Sequence, residues 1–312
     1  METSFRVAPG ITAIDTMMAG TSRLTSGYLV ESFGPALVET GPATSAAAVT
    51  NELNKLGIAA GDLAHVIVTH IHLDHAGGVG HIAEAFPSAT IWVHEKGAKH
   101  LSDPTRLNAS ALRVYGKGRL NALFGPLLAT PADRVRSLAD GESVDLGTRR
   151  LTALHTPGHA SHHMAIQDSS TGVVFTGDAV GVHLPDIPVL RPAAPPPEFD
   201  SDLAIASIER IRQHARGSLM FAHFGPVSSV DETCGLAVQR IREWTELARI
   251  ATERTGDVAE IAGALREGTA SDYANLSDLD HERFEKLGGF EVNAAGLQRY
   301  WNKRREAPRE AS

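Results

Sequence analysis

Short apolar runs alternate with segments of helical spacing along the N-terminal third of the chain. Runs rich in aliphatic or β-branched residues and bounded by glycine are typical of strands. Apolar residues at helical spacing, ended by Gly57 or Pro87, predict helices. The predicted strands are 11–16, 27–33, 36–40, 65–69 and 90–93, with a hairpin turn at 34–35, and the predicted helices are 45–56 and 79–86.

The middle of the chain continues this alternation of strands and helices. Residues 95–135 are predicted to be mainly helical, with breaks at glycines and prolines. Asp200 or Ser201 is the expected N-cap of a further helix. Such alternation predicts a layered α/β fold. The predicted strands here are 150–154, 164–168, 173–176 and 219–222, the last being the final strand of the chain.

Two features set the domain organisation. From about Asp231 onward the pattern is helical, so we predict a main domain over 1–230 and a helical cap, 231–312, packed on it. The segment 182–199 holds six prolines in eighteen residues, which excludes a helix or a central strand. A loop of this length inside a compact domain often shapes a binding site, and a surface connector is the alternative.

Composition narrows the class of protein. The chain has 312 residues, and its hydrophobic content of 42% is ordinary for a globular protein. A formal net charge of −8 argues against nucleic acid as a partner, because nucleic-acid-binding proteins usually carry a basic face. The sequence shows neither a signal peptide nor an apolar run that approaches the ~20 residues of a membrane span. With Cys234 as its single cysteine, the chain is predicted to be cytoplasmic and to have no membrane partner.

The strongest chemical signal is a cluster of histidine and aspartate that follows the apolar run 65–69. His70 and His72 alternate along an extended segment and therefore project to the same side. Asp74 and His75 follow as the chain turns toward two glycines. Imidazole and carboxylate together suit zinc, manganese or iron(II). The alternative, an exposed histidine-rich patch, does not explain why the cluster lies between an apolar strand and a tight turn.

Three later residues share this placement. His159, Asp178 and His223 each follow a predicted strand and stand beside a glycine or a turn. Loops at strand ends are where a rigid sheet presents functional groups. Any one of the three could be a satisfied core or turn residue, but their common position predicts that they complete one metal site.

The His-x-His-x-Asp-His signature with these three partners resembles the metallo-β-lactamase superfamily, in particular its glyoxalase II-like hydrolases. The resemblance covers about residues 10–230 and implies an αββα sandwich of two β-sheets faced by helices. It implies that His70, His72 and His159 hold one metal, that Asp74, His75 and His223 hold a second, and that Asp178 bridges both. The implied cofactors are two divalent metal ions, zinc first, with manganese or iron as alternatives.

A binuclear site of this kind predicts a hydrolase. Two divalent cations lower the pKa of a shared water, and the resulting bridging hydroxide attacks an electrophilic carbonyl or phosphoryl group. Asp178 and Asp74 are the expected catalytic residues, Asp74 by orienting the water as its counterpart does in the family. Cys234 is interpreted as a packing residue. The expected partner is a small-molecule substrate, and a homodimer is one option because many members of the family dimerise.

Departures from the family pattern limit the substrate. Metallo-β-lactamases generally lack an aspartate at the position of Asp178, which argues against that activity. Acyl-homoserine lactonases commonly carry tyrosine three residues further on, where this chain has Gly181. The leading hypothesis is therefore hydrolysis of a small ester, lactone or thioester. Met17, Met18 and Leu24, the proline-rich loop, Tyr300 and Trp301 are candidate walls of its pocket.

Three alternatives remain open at this point. A persulfide-type dioxygenase would keep a single iron on part of the set, drawn from His70, His72, His159 and Asp178. A phosphodiesterase or nuclease would use the same two-metal centre. A non-enzymatic ligand sensor would keep the fold and the metals without turnover.

Overall fold

The first of two large sheets follows the chain order from β1 to β7. It belongs to a computed structural model that describes residues 2–306. Neighbouring strands are antiparallel from β1 to β4 and parallel from β4 to β7. The strands are β1 (Ser4–Ala8), β2 (Ile11–Asp15), β3 (Ser26–Val30), β4 (Ala36–Val38), β5 (His65–Ile67), β6 (Thr90–His94) and β7 (Val135–Leu138).

The second sheet has six strands in the order β15-β14-β11-β10-β9-β8. Its strands pair antiparallel except for β11 and β14, which are parallel. A separate two-stranded ribbon pairs β12 (Val182–His183) with β13 (Leu190–Arg191). The six strands are β8 (Ser143–Asp145), β9 (Arg150–His155), β10 (Met164–Asp168), β11 (Val174–Gly177), β14 (Leu219–Phe221) and β15 (Gly225–Val227).

Six helices accompany the sheets and five form the C-terminal tail of the described chain. Asp200 caps α6, since its side chain accepts from the backbone N–H groups of Asp202 and Leu203, as predicted. The first six are α1 (Ala46–Lys55), α2 (Leu73–Ala76), α3 (Val79–Ala85), α4 (Glu95–Ser102), α5 (Thr105–Leu123) and α6 (Ser201–His214). The tail contains α7 (Val230–Arg254), α8 (Val258–Gly268), α9 (Ala270–Tyr273), α10 (Asp278–Lys286) and α11 (Phe290–Glu306).

Three apolar layers hold these elements together, and alternation along the strands creates them. Tyr28 of β3 points between the sheets, where it packs with Phe175 of β11. Its neighbour Leu29 points the other way, into a layer shared with Val49 of α1. On the far side of the second sheet, α6 and the tail cover Phe221. The predicted αββα sandwich with a C-terminal helical extension is confirmed.

The tail packs on the main domain through this third layer. Trp244 of α7 is buried and stacks on Phe290 of α11, with ring centroids 5.3 Å apart. The same apolar cluster includes Ile208 of α6 and Leu219 of β14. None of the helices within residues 2–306 is both long and apolar enough to span a membrane. The final residues of the predicted cap, 307–312, lie outside the described part of the chain.

The structure contains three short features that the sequence pattern did not predict. Helices α4 and α5 lie within the segment predicted to be mainly helical, 95–135, and the strand β7 that follows at 135–138 was not predicted; it buries Val135 and Leu138 in different apolar layers. Strand β14 is followed by β15 and is therefore not the final strand. The proline-rich loop contains the small ribbon of β12 and β13, which lies outside the main sheets and so tolerates the neighbouring prolines.

Candidate metal centre

Hydrogen bonds just beyond the C-terminal end of β5 hold the backbone that leads into the cluster 70–75. Val68 N donates to Trp92 O at 3.1 Å, and Thr69 N donates to the buried carboxylate of Glu39 at 3.1 Å. The chain then enters the short helix α2, which brings Asp74 and His75 back over the strand end. Gly77 is needed at the exit of α2, because a Cβ there would lie 2.3 Å from Leu73 O.

Three histidines converge on one point, here called the first cluster. His72 Nδ1 lies 3.0 Å from His70 Nε2 and 2.8 Å from His159 Nε2. His159 arrives from the turn after β9, where Gly158 adopts φ +133° and packs against the backbone of Ala204. A side chain at Gly158 would collide with α6, so the turn that presents His159 depends on glycine.

A second cluster lies beside the first and contains Asp74, His75 and His223. Asp74 Oδ2 is 3.8 Å from His75 Nε2 and 3.6 Å from His223 Nε2. His223 follows directly after β14, so its position is set by the second sheet while the other two belong to the first. The site therefore forms only where the two sheets meet.

Asp178 lies between the two clusters and turns one oxygen to each. Its Oδ1 is 3.2 Å from the Nε2 atoms of both His75 and His223. Its Oδ2 is 3.4 Å from His159 Nε2. The structure thus brings together all seven residues that the sequence singled out, in two groups joined by this carboxylate.

The donor set fits divalent metal ions. His75 Nε2 and Asp178 Oδ1 are buried and have no hydrogen-bond partner among the described residues. Unpaired buried polar atoms are costly, and a cation held between them would satisfy both. Imidazole nitrogens with carboxylate oxygens suit zinc, manganese or iron.

Burial and neighbouring charges shift histidine pKa values in opposite directions in the two clusters. Burial, reinforced by adjacent imidazoles, lowers the pKa of His70 and His72 well below the ordinary value. Burial likewise lowers the pKa of His159, partly opposed by Asp178. At His75 burial acts the same way, but the carboxylates around it prevail and raise its pKa well above the ordinary value.

The carboxyl group of Asp178 is charged despite its burial. Burial alone would raise its pKa, but His75, His223 and His159 together hold the pKa well below the ordinary value. Its backbone N–H donates to Nε2 of the buried His163 at 3.1 Å. His163 in turn donates from Nδ1 to Thr156 Oγ1 at 2.8 Å, so its tautomer is fixed and Asp178 is held in place.

Four of the five histidines in the clusters have an oxygen beside the ring nitrogen that points away from the clusters. Such partners fix the tautomer and the ring orientation of metal-ligating histidines. Sequence analysis did not identify these partners, because nothing in local spacing signals them. The hydrogen-bonded partners are Thr69 Oγ1 for His70 (3.0 Å), Ala193 O for His159 (2.9 Å) and Leu24 O for His223 (3.1 Å). Glu39 Oε2 lies 3.4 Å from His75 Nδ1 without forming a hydrogen bond to it.

A cavity of about 410 Å³ opens next to His72, Asp74 and Asp178. One wall is the apolar side of α5, and the opposite wall combines Pro195–Pro197 with the turn between α10 and α11. The proline-rich loop and the tail thus shape the cavity, as the sequence suggested. Other predicted wall residues are wrong: Met18 and Leu24 are fully buried in the core, and Tyr300 and Trp301 pack against each other away from the cavity.

Comparison with known proteins identifies the fold. The sequence profile of the metallo-β-lactamase superfamily matches residues 23–217. Metallo-beta-lactamase fold-containing protein ST1585 of Sulfurisphaera tokodaii is 30% identical over 170 residues, which cover 53% of this chain and 62% of that protein. Acyl-coenzyme A thioesterase MBLAC2 of Gallus gallus is 30% identical over 118 residues, which cover 36% of this chain and 40% of that protein. The match therefore spans less than two thirds of either relative.

Solved structures agree on the fold over a longer part of the chain. The crystal structure of ST1585 from Sulfolobus tokodaii aligns with a TM-score of 0.67 at 23% identity, covering 93% of this chain and 98% of that one. The subclass B3 metallo-β-lactamase MEM-A1, from a soil metagenome library, aligns with a TM-score of 0.61 at 22% identity, covering 81% and 98%. Since the superfamily profile covers more than half of the sequence and these folds coincide, the chain belongs to the metallo-β-lactamase superfamily.

Proposed function

We propose that this protein is a metal-dependent hydrolase that binds two divalent cations and acts on a small carbonyl substrate, an ester, lactone or thioester. The observation that carries the proposal is the two-sided placement of Asp178, whose oxygens face different clusters. A carboxylate placed in this way suits two cations that share it. When bound, such cations would polarise a substrate carbonyl and activate water for attack.

The residues divide into two sets of ligands. His70, His72 and His159 would hold one cation, and Asp74, His75 and His223 would hold the other. Asp178 would contribute one oxygen to each. Zinc is the first expectation for both positions, because three imidazoles or a mixed imidazole and carboxylate set are common around zinc.

Asp74 is placed to act on water as well as to bind metal. Its side chain is 20% exposed, whereas those of His75 and Asp178 are 1% and 8% exposed. Asp74 also borders the cavity. Its carboxylate can therefore accept a hydrogen bond from a water in the cavity and orient that water toward the substrate.

The shape and lining of the cavity support a carbonyl substrate with an apolar acyl group. Leu107, Ala111 and Val114 of α5 form a continuous apolar wall. The lining also includes residues of the metal clusters and further polar side chains, among them Lys96, Glu198 and Lys286, and small-molecule sites usually combine apolar walls with a few polar groups. The similarity to an acyl-coenzyme A thioesterase over about a third of the chain supports including thioesters among the candidates.

The test combines metal analysis with a substrate panel. The purified protein, loaded with zinc or manganese, is assayed with chromogenic esters, lactones and thioesters, and its metal content is measured. We expect two metals per chain and turnover of at least one substrate that a chelator abolishes. Asp178→Asn should lower both the metal content and the rate, whereas Asp231→Asn, a change on the exposed surface, should leave both unchanged.

Other outcomes separate the competing functions. A lack of metal-dependent turnover with every carbonyl substrate would overturn the proposal. One iron per chain together with persulfide oxidation would indicate the dioxygenase, which leaves the second cluster idle. Cleavage of bis(p-nitrophenyl) phosphate far faster than of any carboxylic ester would indicate a phosphodiesterase.

A further inference from the structure

We propose that helix α11 of the tail positions the metal ligand His159, through Asn293 and Gly296. The tail would then be a structural part of the first cluster in addition to a wall of the cavity. This inference rests on the proposed role of His159 as a metal ligand. Asn293 borders the cavity and Gly296 does not, and both would act on His159 through the backbone of the proline-rich loop.

The first link joins His159 to the loop. His159 Nδ1 donates to the carbonyl oxygen of Ala193 at 2.9 Å, which leaves Nε2 facing His72 and Asp178. The ring is buried, and this bond holds the ring nitrogen that points away from the cluster. A shift of the Ala193 carbonyl would therefore turn the imidazole and move Nε2 away from the cluster.

The second link joins the loop to α11. The next backbone N–H, that of Ala194, donates to Asn293 Oδ1 at 2.7 Å, and both residues are buried. The amide nitrogen of Asn293 donates to Gly288 O at 2.7 Å and to Gly289 O at 3.0 Å. The buried amide of Asn293 thus connects Ala194, through its oxygen, with the turn before α11, through its nitrogen.

A third contact comes from Gly296, one helical turn further along α11. A Cβ placed on Gly296 would lie 2.0 Å from Ala194 O and 2.7 Å from Pro195 C. The helix backbone therefore packs directly on the loop backbone, and only glycine allows this approach. Asn293 therefore contacts the peptide between Ala193 and Ala194, and Gly296 packs on the peptide that follows it.

The loop depends on these contacts because it has little structure of its own. Residues 192–195 belong to no helix or strand. Pro192 and Pro195 lack an N–H, so neither can anchor the segment as a donor. Further along, Arg299 Nε donates to Pro197 O at 3.0 Å, again from α11. The helix thus contacts the loop at the peptide that faces His159 and again three residues further along the loop.

The oxygens beside the outer ring nitrogens of His223 and His75, in the second cluster, lie outside these contacts between α11 and the loop. His223 Nδ1 donates to Leu24 O at 3.1 Å, and His75 faces Glu39. Neither partner belongs to the loop or to the tail. The proposal therefore predicts a selective effect: loosening α11 from the loop should weaken the metal at the first cluster and spare the metal at the second. General loss of stability would weaken both.

The experiment uses the full chain loaded with ¹¹³Cd, whose NMR spectrum gives one resonance for each site. His159→Ala and His223→Ala assign the two resonances. In Asn293→Leu and in Gly296→Ala we expect the first-cluster resonance to shift or broaden. Chelator competition should show about tenfold weaker binding at that site, the lower end of effects seen when partners of ligand histidines are removed.

Gln298→Ala is the matched control. Gln298 lies on the same helix and donates to Gly256 O at 2.9 Å, so its loss removes a hydrogen bond of α11 that does not involve the loop. This variant should leave both resonances and both affinities unchanged. Circular dichroism confirms that each variant is folded, and Gly296→Ala decides the question if Asn293→Leu does not fold.

The outcomes are separable from those of the proposed function. Equal weakening at both sites, or no change at either while the wild type holds two metals, would overturn the positioning role alone. A wild type that holds a single metal would overturn the binuclear proposal, and the variants would still be scored on that metal. A wild type that binds no metal would overturn both.

Discussion

Glu39 gives the sharpest test of how the second cluster is built. Its carboxylate is buried between β4 and the end of β5, with Oε1 accepting from Thr69 N and Oε2 lying 3.4 Å from His75 Nδ1. Replacing it with glutamine keeps the shape of the side chain and the acceptor for Thr69. What changes is the negative charge behind the ring of His75.

The magnitude follows from this geometry. Removing the outer partner of a ligand histidine weakens metal binding about 10- to 100-fold, which corresponds to about 1.4–2.7 kcal/mol. The separation of 3.4 Å between Oε2 and Nδ1 exceeds that of a good hydrogen bond. The glutamine amide also retains part of the polar contact. We therefore expect Glu39→Gln to weaken one of the two metal sites about tenfold.

The assay is competition with a chelating dye, which resolves the two affinities. The weakened site should be the one that His223→Ala removes, and the site that His159→Ala removes should be unchanged. Glu52→Gln is the control, because Glu52 is also a buried carboxylate but bonds to Thr3, Ser4 and Lys55 far from the metals. Unchanged affinity at both sites, or equal loss at both, would refute the assignment of Glu39 to His75.

Three further predictions concern the tail, the cavity and the cysteine. Trp244→Ala should destabilise the protein by about 3–5 kcal/mol in denaturant unfolding, because it removes a buried ring stacked on Phe290; a change below about 1 kcal/mol would contradict the packing of the tail. Ala111→Phe should place a ring in the cavity at its apolar wall and raise KM for long-chain esters about tenfold or more, while KM for acetyl esters changes little. Equal effects on the two KM values would argue against acyl binding at this wall. Burial raises the pKa of Cys234 to about 12, so at pH near 8 the thiol stays protonated and should not react with a disulfide reagent until the protein unfolds. Cys234→Ala should retain hydrolysis, and loss of activity would contradict its assignment to packing.

Local pattern was enough to predict which residues form the two clusters. His70, His72, Asp74 and His75 follow one apolar run, and alternation along an extended segment puts the two histidines on one side. His159, Asp178 and His223 were found because each follows a strand. Such signals are visible in sequence because side-chain alternation and strand ends are properties of short segments.

Short or irregular elements could not be predicted with the same success. Strands β7 and β15 contain four and three residues, too few for alternation to distinguish them from loop or helix. The ribbon of β12 and β13 pairs only two residues on each strand. In each case the partner strand, not the intrinsic pattern of the segment, decides that the backbone is extended.

The sequence pattern by itself indicated a layered α/β fold and the seven residues of the two clusters, and the resemblance to the metallo-β-lactamase superfamily implied the two sheets. Only the tertiary structure decided how these donors divide, because the two oxygens of Asp178 acquire different neighbours when strands from both sheets meet. It also decided what supports them: His223 bonds to Leu24 across 199 positions of sequence, and Asn293 reaches Ala194 across 99. Contacts between residues so distant in the chain arise from packing, and packing leaves no periodic signal in the sequence.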